Sequence, residues 1–143
     1  MERRIANPEG LPPLIKTEKP AVISLEAIRR FATEFPEVEE AEHFRFHQPI
    51  FKVRGKPFAG VERGEVAAVF SISQQAAATL VAENPATYEE VWRPGATRSF
   101  VGLRVDLALV SEERVLELIE QAWRTKAPRR VVSAYDAQRL APS

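Results

Sequence analysis

The side chains best suited to chemistry are few in this chain. His43 and His47 are the only histidines, Asp106 and Asp136 the only aspartates, and cysteine is absent. Histidines four apart on a helix would share a face and invite a metal. Here Phe44-Arg45-Phe46 lies between them, a run with the alternation of a strand, and Arg45 would repel a cation. The chain is therefore expected to hold no metal. Without cysteine there is neither a thiolate nucleophile nor a disulfide framework. Asp106 closes a strand-like run, where it suits the following turn better than general-base work. The glutamates fall in solvated stretches, with no pairing that suggests a buried acid and base. A G-x-S-x-G elbow, a phosphate-binding P-loop and a G-x-G-x-x-G turn are all missing. No catalytic residue is identified, and no cofactor is expected.

Cations are the more informative group. Residues 34–42 carry five glutamates and no cation, whereas 43–61 carry Arg45, Lys52, Arg54 and Lys56 and no acid. Net charge is zero, so a polyanion could be engaged only through one positive face. Arg45, Lys52, Arg54, Lys56, Arg63 and Arg104 fall outward or at turns and would form such a face. Arg54-Gly55-Lys56 and Arg63-Gly64 are then its projecting turns. A plainer reading is that cations on edge strands and hairpin tips oppose aggregation. Trp92, followed by the Arg93-Pro94-Gly95 loop, could line a shallow pocket with Arg93 and Arg104. Trp123 reads as core.

The elements that position these residues follow from capping and periodicity. Ser24, Ser73 and Ser111 each precede a helical pattern as N-cap, predicting helices at 24–35, 73–83 and 111–125. Leu25, Ile28, Phe31, Ala32 and Phe35 form one stripe, and Val115, Leu118, Ile119, Ala122 and Trp123 another. Glu37 to Glu42 reads as an acidic connector. Within 43–47, His43, Arg45 and His47 alternate with Phe44 and Phe46, a short strand that Pro49 interrupts. Phe51 and Val53 then face a core with Lys52 and Arg54 outward, and the two Arg-Gly turns make a three-stranded meander running on to Ser71. Tyr88 to Trp92 is a further short strand. In the last strand Val101, Leu103, Val105 and Leu107 share one face, and Phe100, Gly102, Arg104 and Asp106 the other.

The expected fold is α+β: two layers, an antiparallel sheet of about five strands with the helices on one face, in the order α-β(3)-α-β(2)-α. At 143 residues one domain is expected, spanning 21–128. A flexible arm at 1–20 precedes it, with Pro8, Pro12, Pro13 and Pro20 and the cations Arg3, Arg4, Lys16 and Lys19, and a tail at 129–143 follows. No run reaches the ~18 apolar residues of a membrane span, and the first residues lack the apolar core of a signal peptide. With no cysteine, a cytoplasmic location and no membrane partner are expected.

The run HFRFHQPIFKVRGKPFAGV, then VAAVFSIS before a helix, FVGLRVDL and the closing SEERVLELIEQAWRTKAPR resemble the MmcQ/YjbR family over about residues 24–130. Phe100 departs from the pattern, since relatives often carry tryptophan in the phrase leading to VDL. The resemblance implies a compact fold similar to secretion chaperones and to frataxin, and a DNA-binding role through a double wing. By position the wings are the turns at Arg54-Gly55-Lys56 and Arg63-Gly64. The leading expectation is a non-enzymatic module that binds DNA with weak sequence preference. The alternatives are a protein-binding module of secretion-chaperone type, with the partner held on the sheet or its edge, and a small-molecule binder or enzyme with a pocket near Trp92. Protein purified without a metal-affinity tag should carry well under one equivalent of transition metal by elemental analysis. A full equivalent of zinc, lost on His43→Ala, would reverse the expectation drawn from the histidines.

Overall fold

The computed structural model describes residues 22–43, 47–95 and 98–140. The expected arm at 1–20 and the residues Phe44, Arg45 and Phe46 lie outside these. Ten regular elements follow in order: α1 (Leu25–Ala32), β1 (Val38–Glu42), β2 (Pro49–Val53), β3 (Lys56–Val61), β4 (Ala67–Phe70), α2 (Gln74–Glu83), β5 (Tyr88–Arg93), β6 (Ser99–Asp106), α3 (Glu112–Lys126) and α4 (Arg129–Leu140). The strands form one open antiparallel sheet in the order β1-β2-β3-β4-β6-β5. The α+β class and its antiparallel sheet stand, with six strands rather than about five.

The three helix starts are made as the serines predict. The Ser24, Ser73 and Ser111 hydroxyls accept from the backbone N–H of Ala27, Ala76 and Arg114, each at 3.1 Å. Each supplies a partner to an N–H that the helix itself leaves unpaired. Glu112 and Glu113 in the first turn of α3, with Arg124 and Lys126 in its last, complement the helix dipole. The α3 stripe Val115, Leu118, Ile119, Ala122 and Trp123 is fully buried, against Phe51, Val53, Phe58, Phe70, Leu103 and Val105 from one face of the sheet. The opposite face carries no helix among the described residues.

The extra strand is β1, where an acidic connector was expected. Its Val38-Glu39-Glu40-Ala41-Glu42 pairs in full register with β2, Val38 opposite Val53 and Glu42 opposite Pro49. Glutamate is a poor strand former, but at an edge its charge guards against further pairing. The acids are also matched by cations: Arg29 grips Glu40 with two bonds of 2.6 and 2.9 Å, and Arg54 holds Glu37 at 3.0 Å. His43 and His47 belong to the connection that follows rather than to a strand. The His43 N–H donates to Gln48, and the His47 N–H back to His43, both at 2.8 Å, with His47 at a left-handed φ of 56°.

Two bulges set which side chains face the core. Phe51 pairs with Ala59 but Lys52 with Pro57, so Phe58 is an extra residue and both Phe58 and Ala59 are buried. On β6, Val91 pairs with Gly102 and Trp92 with Phe100, leaving Val101 unpaired. A bulge shifts the period of two by one residue. Phe100 therefore packs against the core, and Val101 lines the uncovered face beside Val69 and Val91. This corrects the single alternation read over 100–107. Gly102 is required here, because a Cβ would sit 2.5 Å from the Phe70 carbonyl oxygen.

The segment expected as a C-terminal tail is the helix α4. Weak periodicity hides it because only Val131 is fully buried. It docks through Tyr135, whose ring meets Trp123 edge-on at 5.0 Å and Phe35 at 5.5 Å. Arg124 on α3 adds a two-pronged bond to Asp136, at 2.7 and 3.0 Å.

Two outcomes follow. Trp123→Ala should cost about 3–5 kcal/mol in denaturant unfolding, as a large aromatic lost from a core; an unchanged midpoint would place Trp123 outside it. The bonds from Arg124 lower the Asp136 pKa below the ordinary aspartate value. Its stabilising contribution is thus complete above the unfolded pKa and lost as pH falls through the folded one. Amide protection of α4 should hold from neutrality to about pH 4 and fall below it, ahead of β6. Asp136→Asn should lower that protection at neutral pH.

Candidate nucleic-acid interface

The sheet's uncovered face is built by the residues that alternate with the core positions. One register row crosses all six strands: Ala41, Ile50, Gly60, Val69, Arg104 and Glu89. Its first four members are apolar or bare backbone. Ile50, Gly60 and Val69, with Pro49, Pro57, Val91 and Val101, border a shallow trough of about 480 Å³.

The cations expected on this face are largely answered by acids. Arg104 bonds Glu62 at 2.9 Å and lies 3.6 Å from Glu89; the Glu62 bond raises its pKa further and keeps it charged. Arg54 is occupied by Glu37. Lys52 stands directly across from Glu39 in the position where opposite charges attract between strands. Arg45 lies outside the described residues. Lys56 and Arg63 are exposed, and neither has an ion pair among the described residues. The uncovered face is apolar in its middle and near charge balance at its margin, and not continuously positive.

The two Arg-Gly turns do not lie together. Arg54 and Gly55 take φ of 51° and 83°, the paired left-handed geometry of a two-residue hairpin that matches strand twist. Arg63–Glu65 is a single 3-10 turn with Gly64 at φ 80°. The six residues of β3 run between the two turns and set them about 20 Å apart, at opposite ends of the sheet.

A different turn shares an end with Arg54-Gly55. Phe70, the last residue of β4, pairs with Ala59 on β3 and with Leu103 on β6. Lys56 and Phe100 each lie three residues beyond those pairings in the same direction. The β2–β3 and β5–β6 hairpins therefore both project past the end of β4, with a notch between them. β3 and β5 are three strand positions apart, about 14 Å. On the second hairpin Arg93 and Arg98 are exposed and, like Lys56, without an ion pair among the described residues.

Trp92 sits at the base of that second hairpin. Its indole N–H donates to Glu90 at 3.0 Å, Phe100 meets it edge-on at 5.3 Å, and the Arg98 guanidinium lies 4.5 Å over its ring. The strand at Trp92 borders a cavity of about 580 Å³ with Val91, Pro94, Gly95, Arg104 and Glu89, while the indole itself stands with Glu90 and Phe100 on the helix-covered side of the sheet. Trp92, Arg93 and Arg104 are thus neighbours, as the pocket reading expects. Arg98 was not singled out from the sequence; its signal was its place six residues after Trp92, across a Pro-Gly loop that returns the chain. Asp106 serves the turn, its carboxylate accepting from the Ala108 N–H at 2.8 Å. Among the described residues no cluster of three or more metal-ligating side chains occurs, and no helix is long and apolar enough to cross a membrane.

Comparison with known proteins agrees with this architecture. No curated protein matches the chain. Among solved structures, protein DR2400 of Deinococcus radiodurans, described by the domain DUF419, superposes with a TM-score of 0.61 at 15% identity. The match covers 74% of this chain and 80% of that one, a likeness of fold. The model of the YjbR family matches residues 33–125, from the end of α1 almost to the end of α3, and the chain belongs to that family.

Proposed function

We propose that this chain is a non-enzymatic DNA-binding module that works through one end of its sheet. The observation that carries the reading is the pair of hairpins flanking the notch at β4. Between them they present Lys56, Arg93 and Arg98 with no carboxylate bound to any of them among the described residues, and Arg54 beside them paired to Glu37. Unanswered cations on two projecting tips suit a phosphate backbone, which rewards charge and position rather than sequence. The wings are then the β2–β3 and β5–β6 tips. Lys52 and Arg104 on the face, and Arg63 at the far end, make at most secondary contacts.

A second reading rests on the trough. Ile50, Val69, Val91 and Val101 leave apolar surface on the uncovered sheet face, suited to a partner protein's apolar segment. It takes first place if nucleic acid is not bound.

Anisotropy of a labelled duplex separates the two. Three neutralised phosphates give a log–log salt slope of about −2.7, so a fourfold rise in salt should weaken binding roughly fortyfold. Lys56→Glu with Arg93→Glu should abolish binding without moving the thermal midpoint, whereas Arg63→Glu at the opposite end should change it little. An equal loss from Arg63→Glu would remove the sheet end as the contact surface. No binding of duplex or single strand at low salt and tens of micromolar protein would hand the function to the trough.

A further inference from the structure

We infer that Trp92 is a positioning residue: it holds the Arg98 guanidinium in the attitude from which the β5–β6 hairpin contacts a phosphate. The inference rests on the proposed DNA-binding reading and adds to it the device that orders one of its contacts.

Arg98 differs from the other cations of that sheet end in how it is held. Arg54 is bound to Glu37, and Lys56 and Arg93 meet neither a carboxylate nor a ring among the described residues. Arg98 is exposed, and its guanidinium lies 4.5 Å over the Trp92 ring. No carboxylate binds it among the described residues. A carboxylate would take up the planar fork, whereas a ring attracts the charge and leaves donors of the fork open. An arginine steadied in this way loses less rotamer freedom when a phosphate arrives. Its fork then suits two phosphate oxygens at once.

The ring that steadies Arg98 is itself fixed. Glu90 and Trp92, two apart on β5, share the helix-covered side of the sheet. Glu90 accepts from the indole N–H at 3.0 Å. The Gln74 amide, at the start of α2, reaches the same carboxylate at 3.4 Å. Phe100 meets the ring edge-on at 5.3 Å. The indole is thereby tied to α2 and to β6, and Arg98 inherits a defined place from it.

A double-mutant cycle on duplex binding separates positioning from scaffolding, because coupled residues depart from additivity. Trp92→Leu removes the ring and no charge. It should weaken binding of a short labelled duplex about two- to tenfold, at an unaltered salt slope. Arg98→Ala should weaken it too, and make the slope shallower by about 0.9, one phosphate's share. In the Arg98→Ala background, Trp92→Leu should cost nothing further. Trp92→Phe keeps a ring under the guanidinium and should retain most of the affinity that Trp92→Leu loses. Arg98→Lys, at an exposed position, keeps the charge but loses the fork. It should weaken binding severalfold with the slope retained, and it serves as the test if the tryptophan variants fold poorly. Equal losses from Trp92→Leu in both backgrounds would make Trp92 a scaffold residue and overturn the inference, with the basic sheet end left standing. Full affinity in folded Trp92→Leu or in Arg98→Lys would overturn it as well. If the unaltered chain binds no duplex at low salt, the DNA-binding reading falls and the inference with it.

Discussion

The hydrogen bond from the Trp123 indole to the Pro36 carbonyl, 3.1 Å long, joins parts of the chain 87 residues apart. Pro36 lies between α1 and β1, so α3 is pinned at the point where the chain leaves a helix and enters the edge of the sheet. Phe35 lies 5.2 Å from the Trp123 ring on one side, and Tyr135 of α4 meets it on another. A buried indole N–H without a partner would be costly. Its partner is a backbone carbonyl that Pro36 can offer because the preceding helix has already ended. Helix end, edge strand and C-terminal helix are thus held by one aromatic residue.

Covering only one face of the sheet shapes the rest. The α1, α2 and α3 stripes, with Val131 of α4, fill the inner face, and the outer face must then be tolerable in water. Here that is managed with small residues and balanced charge: Gly60 and Gly102 are bare, Arg104 is shared by two glutamates, and Lys52 faces Glu39. Charge that is locally cancelled creates little field. At the hairpin ends Lys56, Arg93 and Arg98 have no ion pair among the described residues. The bulge at Val101 matters in this respect as well. By turning Phe100 inward it places an aromatic edge against Trp92 and braces the hairpin that carries Arg93 and Arg98.

Much of the architecture was legible without coordinates. The three serine caps, the α3 stripe down to Trp123, the Arg54-Gly55 turn and the turn made by Asp106 are all local, set by bonding within a few residues or by a helical period. The order of motifs from His43 to Arg129 also pointed to the family. The candidate site was legible only as a list of cations and one tryptophan beside a loop.

What tertiary structure decided was every property that depends on which strands meet. The Val38–Glu42 strand, acidic and of low strand propensity, forms because β2 offers it a ladder and Arg29 answers Glu40, with Arg54 holding Glu37 just before it. The α4 helix forms against Trp123, with only Val131 fully buried to betray it. A single unpaired residue at Val101 reversed the facing of Phe100, and no alternation pattern announces a bulge. Above all, consecutive hairpin turns are neighbours in sequence but lie at opposite ends of a meander. The Arg54-Gly55 tip is instead matched with the Arg93–Arg98 tip some forty residues on, because the antiparallel registers of β3, β4 and β6 carry both past the same strand end.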